Sequence, residues 1–190
     1  LQNASNSQDS RLLQAGLESK DKVIDIHHAG TAMRFLTAYF AIQEGKITIL
    51  TGSERKKQRP IKPLVDALQN LGADIEYLEN EGFPPLKIVG KKLFKNEVRI
   101  PANISSQFIT ALMLIGGKLE NGLTIELDCE ITSRPYLEMT LGLINSIFQI
   151  DIHFQQTENG NEKISIPPIT PQPSSIIFNV ESDWSSASYY

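Results

Sequence analysis

The sequence predicts an α/β fold made of a duplicated unit of strand, helix, strand, helix and two further strands. The first observation behind this is that strand-like and helix-like apolar periods alternate along the chain, which implies parallel pairing through right-handed crossovers. The second is a repeat. Thr31 and Gln107 stand 76 residues apart, as do Ile47 and Leu123; Arg59-Pro60-Ile61 and Arg134-Pro135-Tyr136 stand 75 apart; Ala73 to Tyr77 and Ile150 to Phe154 stand 77 apart. Four landmarks in one order at one spacing argue for duplication rather than chance. The third is that in each copy a polar, hydroxyl-bearing or basic segment precedes both helices.

Taken in order, residues 3–9 are polar. Arg11 to Leu17 predicts a short helix capped from Ser7, Asp9 or Ser10. Val23 to Ile26 predicts a strand, with His27 and His28 continuing it. Gly30 and Thr31 then read as the loop and cap of a helix to about Ile42, apolar at Phe35, Leu36, Tyr39 and Phe40. Gly45 ends it, and Lys46 to Leu50 is the next strand. A charged loop from Thr51 to Arg59 leads to a helix opened by Pro60 or Pro63, carrying Leu64, Val65, Leu68 and Leu71, with Gly72 as its C-cap. Asp74–Leu78 and Leu86–Val89 form a hairpin around Asn80-Glu81-Gly82.

The second copy repeats the list. Val98 to Ile100 is a strand, and a helix follows whose N-cap is Ser105 or Ser106 and whose core face holds Phe108, Ala111, Leu112 and Ile115. Leu123 to Leu127 is a strand, and Leu137 to Phe148 a helix. Ile150–Phe154 and Lys163–Ile166 form a hairpin around Glu158-Asn159-Gly160. After a Pro-rich stretch, Ile176 to Val180 predicts a strand, and Ser185-Ser186 would open the first helix of a third copy. The chain lacks an initial Met and stops as that helix pattern starts, so both ends read as cuts within a longer protein.

Composition narrows the function classes. Of 190 residues 41% are hydrophobic and 21% charged, as in a globular protein, and the net charge of −4 without a long basic run argues against general nucleic-acid binding. No apolar run is long enough to span a bilayer. The single cysteine, Cys129, forms no internal disulfide and points to a reducing cytoplasm. With acidic neighbours on both sides it reads as structural. His27-His28, as adjacent strand residues, would face opposite ways and make a poor chelate, so no metal is expected. Lys56-Lys57 reads as a solvated face, and Trp184 as packing.

The helix openings carry the chemistry. A helix N-terminus presents free amides and a positive dipole end, which favour an anion. Gly30-Thr31, Ser105-Ser106-Gln107 and Ser185-Ser186 would converge on one mouth, joined by the loops Arg55 to Arg59 and Thr132-Ser133-Arg134. Any one of these alone is an ordinary cap; as a set they predict a phosphate site.

These residues also carry a resemblance. His28-Ala-Gly-Thr-Ala-Met-Arg34 resembles the Asn-Ala-Gly-Thr-Ala-Met-Arg motif of the 5-enolpyruvylshikimate-3-phosphate synthases. Gly52-Ser-Glu-Arg-Lys-Lys-Gln-Arg-Pro-Ile61 is similar to their Gly-x-x-Arg-x-x-x-Arg-Pro-Ile loop. Ser105-Ser-Gln-Phe108, Ser133-Arg-Pro-Tyr136 and the stretch from Asp183 to Tyr189 resemble three further signatures, in family order. The departures are His28 for Asn, Phe35 for a Pro after the motif Arg, and Arg134 for a common Lys.

The resemblance implies transfer of the enolpyruvyl group of phosphoenolpyruvate to the 5-hydroxyl of shikimate 3-phosphate, a step of aromatic amino-acid biosynthesis, without a cofactor. It implies two domains of three βαβαββ units each, with an inside-out α/β barrel arrangement. Residues 1–190 would be most of the N-terminal domain, in a cytoplasmic enzyme that is monomeric at full length. By motif, Ser105, Ser106 and Ser133 would hold the shikimate phosphate, with Tyr136 packed on the shikimate ring. Gly30 and Arg55 would contact phosphoenolpyruvate, and Gln107 would lie between both substrates. The family's catalytic Lys lies before position 1 and its acid/base carboxylates in the second domain, so no catalytic residue is expected in this chain, which would be inactive alone. The related UDP-N-acetylglucosamine enolpyruvyl transferases share the fold, but their loop nucleophile Cys has no counterpart here. A non-catalytic phosphate-binding module of the same fold is the alternative of a different class.

Overall fold

In the computed structural model, which describes residues 3–170 and 179–180, two four-stranded sheets enclose a layer of helices. The first helix, α1 (Gln8–Glu18), is capped by the Ser7 hydroxyl, which accepts from the Ser10 amide. It packs on α2 of the first unit. That unit runs β1 (Val23–Asp25), α2 (Gly30–Ala41), β2 (Ile47–Thr51), a short α3 (Glu54–Lys57), α4 (Lys62–Leu71), β3 (Asp74–Tyr77) and β4 (Leu86–Val89). The second runs β5 (Glu97–Pro101), α5 (Ser106–Gly116), β6 (Leu123–Asp128), α6 (Arg134–Phe148), β7 (Phe154–Gln156) and β8 (Glu162–Ile166).

The two units share topology and register. Their sheets are ordered β1-β2-β4-β3 and β5-β6-β8-β7. In each, the first pair is parallel and the other two are antiparallel. Ile24 pairs with Leu50 as Ile100 pairs with Leu127. The Ile26 amide reaches the Thr51 carbonyl at 3.0 Å, and its counterpart Ala102 reaches Asp128 at 2.7 Å. Even the helix ends match: Gly72 after α4 has φ 108° and Gln149 after α6 has φ 55°, both left-handed.

Strand burial alternates, so each sheet gives one face to solvent and the other to helices. α2 and α5 lie inside, packed on each other and largely buried. Leu36 and Phe40 of α2 and Ile109 and Leu112 of α5 are at most 1% exposed. Each such side chain contributes about 1.5–3 kcal/mol by leaving water. Helices inside and sheets outside are the arrangement that the family resemblance implies.

Several local expectations need correction. α2 starts at Gly30 with Ala29 in the cap position, so Thr31 lies in the first turn and does not cap. β1 stops at Asp25, and His27, at φ 46°, turns the chain instead of extending the strand. Within the charged loop, residues 54–57 form α3. Cys129 is exposed, at φ 68° just after β6, and is not a packing residue. β7 begins only at Phe154, because the Asn145 amide side chain takes both the N–H and the C=O of Ile152, each at 2.8 Å. The predicted strand from Ile176, Trp184 and the Ser185-Ser186 helix start lie outside the described residues, apart from Asn179 and Val180. Among the described residues no helix is long and apolar enough to cross a membrane.

Candidate functional site

The site lies where the N-terminal ends of α2, α5 and α6 meet the α3 loop. On the first unit, Gly30, Met33 and Arg34 of α2 and Lys56, Arg59, Pro60 and Ile61 line one recess. Gly30 lets the cations come close. A Cβ there would stand 2.9 Å from Lys56 Nζ and 3.1 Å from an Arg34 guanidinium nitrogen. Gly30 is helical and has no left-handed angle, so what it provides is space.

The electrostatics of the recess are one-sided. Arg34 donates to the Gly30 carbonyl at 2.9 Å and lies 5.3 Å above the Phe108 ring of α5. Its buried Nε has no partner among the described residues. Burial first, and then the charge of Arg59, lower the pKa of Arg34. Burial, Arg59 and Arg34 likewise lower that of Lys56, against a smaller opposing pull from Asp9. Among the described residues no carboxylate forms an ion pair with Arg34, Lys56 or Arg59. Three cations left to repel one another gain from any anion that enters.

On the second unit the hydroxyls are held ready. Ser105 and Ser133 occupy the N-cap positions of α5 and α6, yet neither makes a side-chain cap hydrogen bond. The Phe108 and Tyr136 amides bond to the backbone carbonyls of Ser105 and Ser133 instead. Thr132 ties the two loops together, its hydroxyl donating to the Asn103 carbonyl at 3.1 Å and its amide to that of Ala102. Two helix openings thus share one rim, with Ser105, Ser106 and Ser133 partly exposed along it. Tyr136 is half-buried; burial raises its pKa, while Arg34 acts the other way across the seam.

The seam itself is bridged by Gln107, whose amide donates to the Thr31 hydroxyl at 3.1 Å. The contact thus links the two helix openings, at Thr31 next to Gly30 and at Gln107 next to Ser106, while the recess lining itself holds Gly30 but neither Gln107 nor the serines. Arg55 lies on α3, exposed and outside the recess lining. Arg134 leaves the set: it pairs with Glu162 of β8 and stacks 4.6 Å over Phe154. Lys56, read from sequence as solvated, faces the recess, and Arg34 and Arg59 join it. The signal for these three was already in the sequence as basic residues in the two motifs of the first unit.

The family model described as "EPSP synthase (3-phosphoshikimate 1-carboxyvinyltransferase)" matches residues 2–190. The chain belongs to the EPSP synthase family. Among curated relatives, a 3-phosphoshikimate 1-carboxyvinyltransferase of Bacteroides fragilis is 47% identical over 191 residues, covering 100% of this chain and 44% of that protein. One of Colwellia psychrerythraea is 46% identical over 165 residues, covering 86% and 37%. The chain thus spans less than half the length of the relatives it matches. A solved EPSP synthase from Acinetobacter baumannii has the same fold, with a TM-score of 0.59 and 22% identity over 77% of this chain and 31% of that one.

The placement of the family motifs in this chain has a physical reading. Residues of the His28–Arg34 and Gly52–Ile61 motifs line one recess, although the rest of α2 and β2 separate them in sequence. The Ser105–Phe108 and Ser133–Tyr136 motifs open α5 and α6 on the neighbouring rim. One unit therefore presents charge and the other presents hydroxyls.

Proposed function

We propose that the protein containing this chain transfers the enolpyruvyl group of phosphoenolpyruvate to the 5-hydroxyl of shikimate 3-phosphate and releases inorganic phosphate. The 5-oxygen bonds to the enolpyruvyl carbon, the bond from that carbon to the phosphate oxygen breaks, and the hydroxyl proton is lost. Residues 1–190 are read as most of the N-terminal domain, with a third unit beginning near Ser185, in a cytoplasmic enzyme monomeric at full length. This chain's share is binding and orientation; the proton transfers fall to residues elsewhere in the full-length protein.

The carrying observation is the division between the two units, cationic recess beside hydroxyl rim, joined by the contact of Gln107 with Thr31. Phosphoenolpyruvate, small and densely anionic, suits Gly30 with the surrounding cations, and Arg55 would close on it from α3. The guanidinium fork suits phosphate and carboxylate alike. The 3-phosphate suits Ser105, Ser106 and Ser133, which offer neutral donors beside helix amides. Tyr136 would cover the shikimate ring, and Gln107 would touch both substrates. Holding the two in one orientation lowers the entropy cost of their encounter.

A phosphate-release assay on the full-length enzyme tests this. Release should require both substrates, and Ser106→Ala should raise the KM for shikimate 3-phosphate. Release from phosphoenolpyruvate without any dependence on shikimate 3-phosphate would overturn the assignment.

A further inference from the structure

We propose that Lys56 is an additional anion-binding residue of the Gly30 half-site, and that His28 positions it through Ser53. The inference rests on the preceding reading that this half-site takes phosphoenolpyruvate. Neither residue belongs to the set that the family motifs select: Lys56 falls on a variable position of its loop motif, and His28 replaces the motif Asn.

The geometry begins at the turn after β1. The His27 amide donates to Asp25 Oδ1 at 2.7 Å, and His27 sits at φ 46°. That turn aims the His27 carbonyl at the Ser53 amide, 2.9 Å away, and His28 Nδ1 lies 2.9 Å from Ser53 Oγ. Gly52 passes so near that a Cβ would stand 2.9 Å from the His27 carbonyl and 3.3 Å from Lys56 Cβ. α3 follows at once, the Ser53 carbonyl accepting from the amides of Lys56 at 2.7 Å and Lys57 at 3.0 Å.

A helix of one turn cannot hold its own orientation, because nucleation costs more than so few hydrogen bonds return. α3 therefore takes its orientation from what it is tied to, the two-histidine turn that leads into α2. The Ser53 hydroxyl, which at an N-cap would ordinarily bond inward, makes no cap hydrogen bond and meets His28. So anchored, Lys56 reaches across to Gly30. It has no acidic ion-pair partner among the described residues, whereas its neighbour Lys57 is paired with Glu54 and Glu79. An unpaired ammonium beside Arg34 and Arg59 is a third grip for a phosphate or carboxylate, and its point charge accepts any approach direction.

Steady-state kinetics on the full-length enzyme test both halves of the proposal. Lys56→Gln is expected to raise the KM for phosphoenolpyruvate about 5- to 10-fold, the effect of one charged contact, with kcat and the KM for shikimate 3-phosphate within about twofold. His28→Ala should raise the same constant about threefold, Ser53→Ala should match it, and His28→Asn, whose amide can meet the Ser53 hydroxyl, should restore it. In the Lys56→Gln background His28→Ala and Ser53→Ala should add nothing, since they act through Lys56. Multiplying effects in the double variants would overturn the positioning role. If Gly30→Ala raises the constant and Lys56→Gln does not, this inference fails while the half-site reading stands. If both are silent, the half-site reading itself fails.

Discussion

Gln107 donates its side-chain amide to the hydroxyl of Thr31 at 3.1 Å, and the two residues occupy the same position, 76 apart, of the two repeated units. A duplicated fold thus closes on itself at equivalent residues, each in the first turn of its unit's inner helix. Duplication has left one partner a long amide and the other a short hydroxyl, and the difference in reach lets them bond. The pair sits between the cationic recess and the hydroxyl rim, so it feels both.

On the proposed reading, in which Gln107 would lie between the two substrates, Gln107→Ala is expected to raise the KM for both and to lower kcat. Thr31→Val, which keeps the volume but not the hydroxyl, should leave the fold intact and cost about 1 kcal/mol or less in stability. The contact is isolated by a double-variant cycle read in melting curves and in kinetics. Strict additivity of the two changes would mean that the contact carries no energy.

Gly30→Ala is expected to raise the KM for phosphoenolpyruvate more than that for shikimate 3-phosphate, with little change in melting temperature. The new methyl would meet the movable tips of Lys56 and Arg34 and displace the cations of the recess. Gly72→Ala supplies the contrast. It would be strained at φ 108° and would press a Cβ to 2.6 Å from the Phe94 ring. It should destabilise the protein by more than about 1 kcal/mol and leave the ratio of the two constants unchanged. A large loss of melting temperature for Gly30→Ala would remove the argument from space.

Ser105→Ala and Ser133→Ala should weaken shikimate 3-phosphate binding without weakening their helices, since neither hydroxyl caps its helix. Ser7→Ala should do the reverse: its hydroxyl does cap α1, and its loss should cost about 1 kcal/mol with no effect on substrates. Urea unfolding alongside a binding isotherm separates these outcomes. Equal destabilisation by all three changes would show that the two rim serines serve as caps after all.

How much of this was legible in the sequence depended on how local its cause was. The repeat and both sheets could be read because strand-like and helix-like apolar periods, held in the same order over two units, set the strand faces and the helix faces. The openings at Gly30, Ser105 and Ser133 could be read because glycine and serine have few other reasons to precede an apolar helix. Whether a serine hydroxyl bonds inward could not, since that depends on the backbone angles of the cap. Lys56 looked solvated because its direction is set by the His27 turn and the close passage of Gly52, not by any period of its own. The late start of β7 depends on Asn145, which competes for Ile152 from a helix packed beside it.

The 190-residue chain by itself is expected to release no phosphate from the two substrates and to bind shikimate 3-phosphate weakly. It spans 44% of its Bacteroides fragilis relative, and a half-site open to water loses the contacts of a closed cleft. Chemical-shift mapping should show perturbed amides at Ser105, Ser106 and Ser133. Perturbation confined to the hairpin turns at Asn80 and Asn159 would contradict the placement, and turnover abolished by Ser106→Ala would contradict the division of labour.

Arg134 should matter to stability and not to phosphate. It opens α6 beside Ser133, where a cation would suit an anion site, yet its guanidinium turns to Glu162 of β8, with Glu138 3.7 Å away and the Phe154 ring beneath. The hydrogen bond to Glu162 is the largest influence on Arg134 and raises its pKa, so the charge is already compensated. The pair is 40% and 22% exposed, so its worth is discounted for solvent. Together with the stacking, Arg134→Ala should cost about 1–2 kcal/mol in unfolding experiments. Arg134→Lys should recover only part of this, since a lysine keeps the charge but loses the fork and the flat face. Glu162→Gln tests the partner. If Arg134 belongs to the hairpin, Arg134→Ala and Glu162→Gln should couple in stability and leave the KM for shikimate 3-phosphate within about twofold. If Arg134 instead held the phosphate, its loss would raise that constant strongly, and freeing it by Glu162→Gln would lower it.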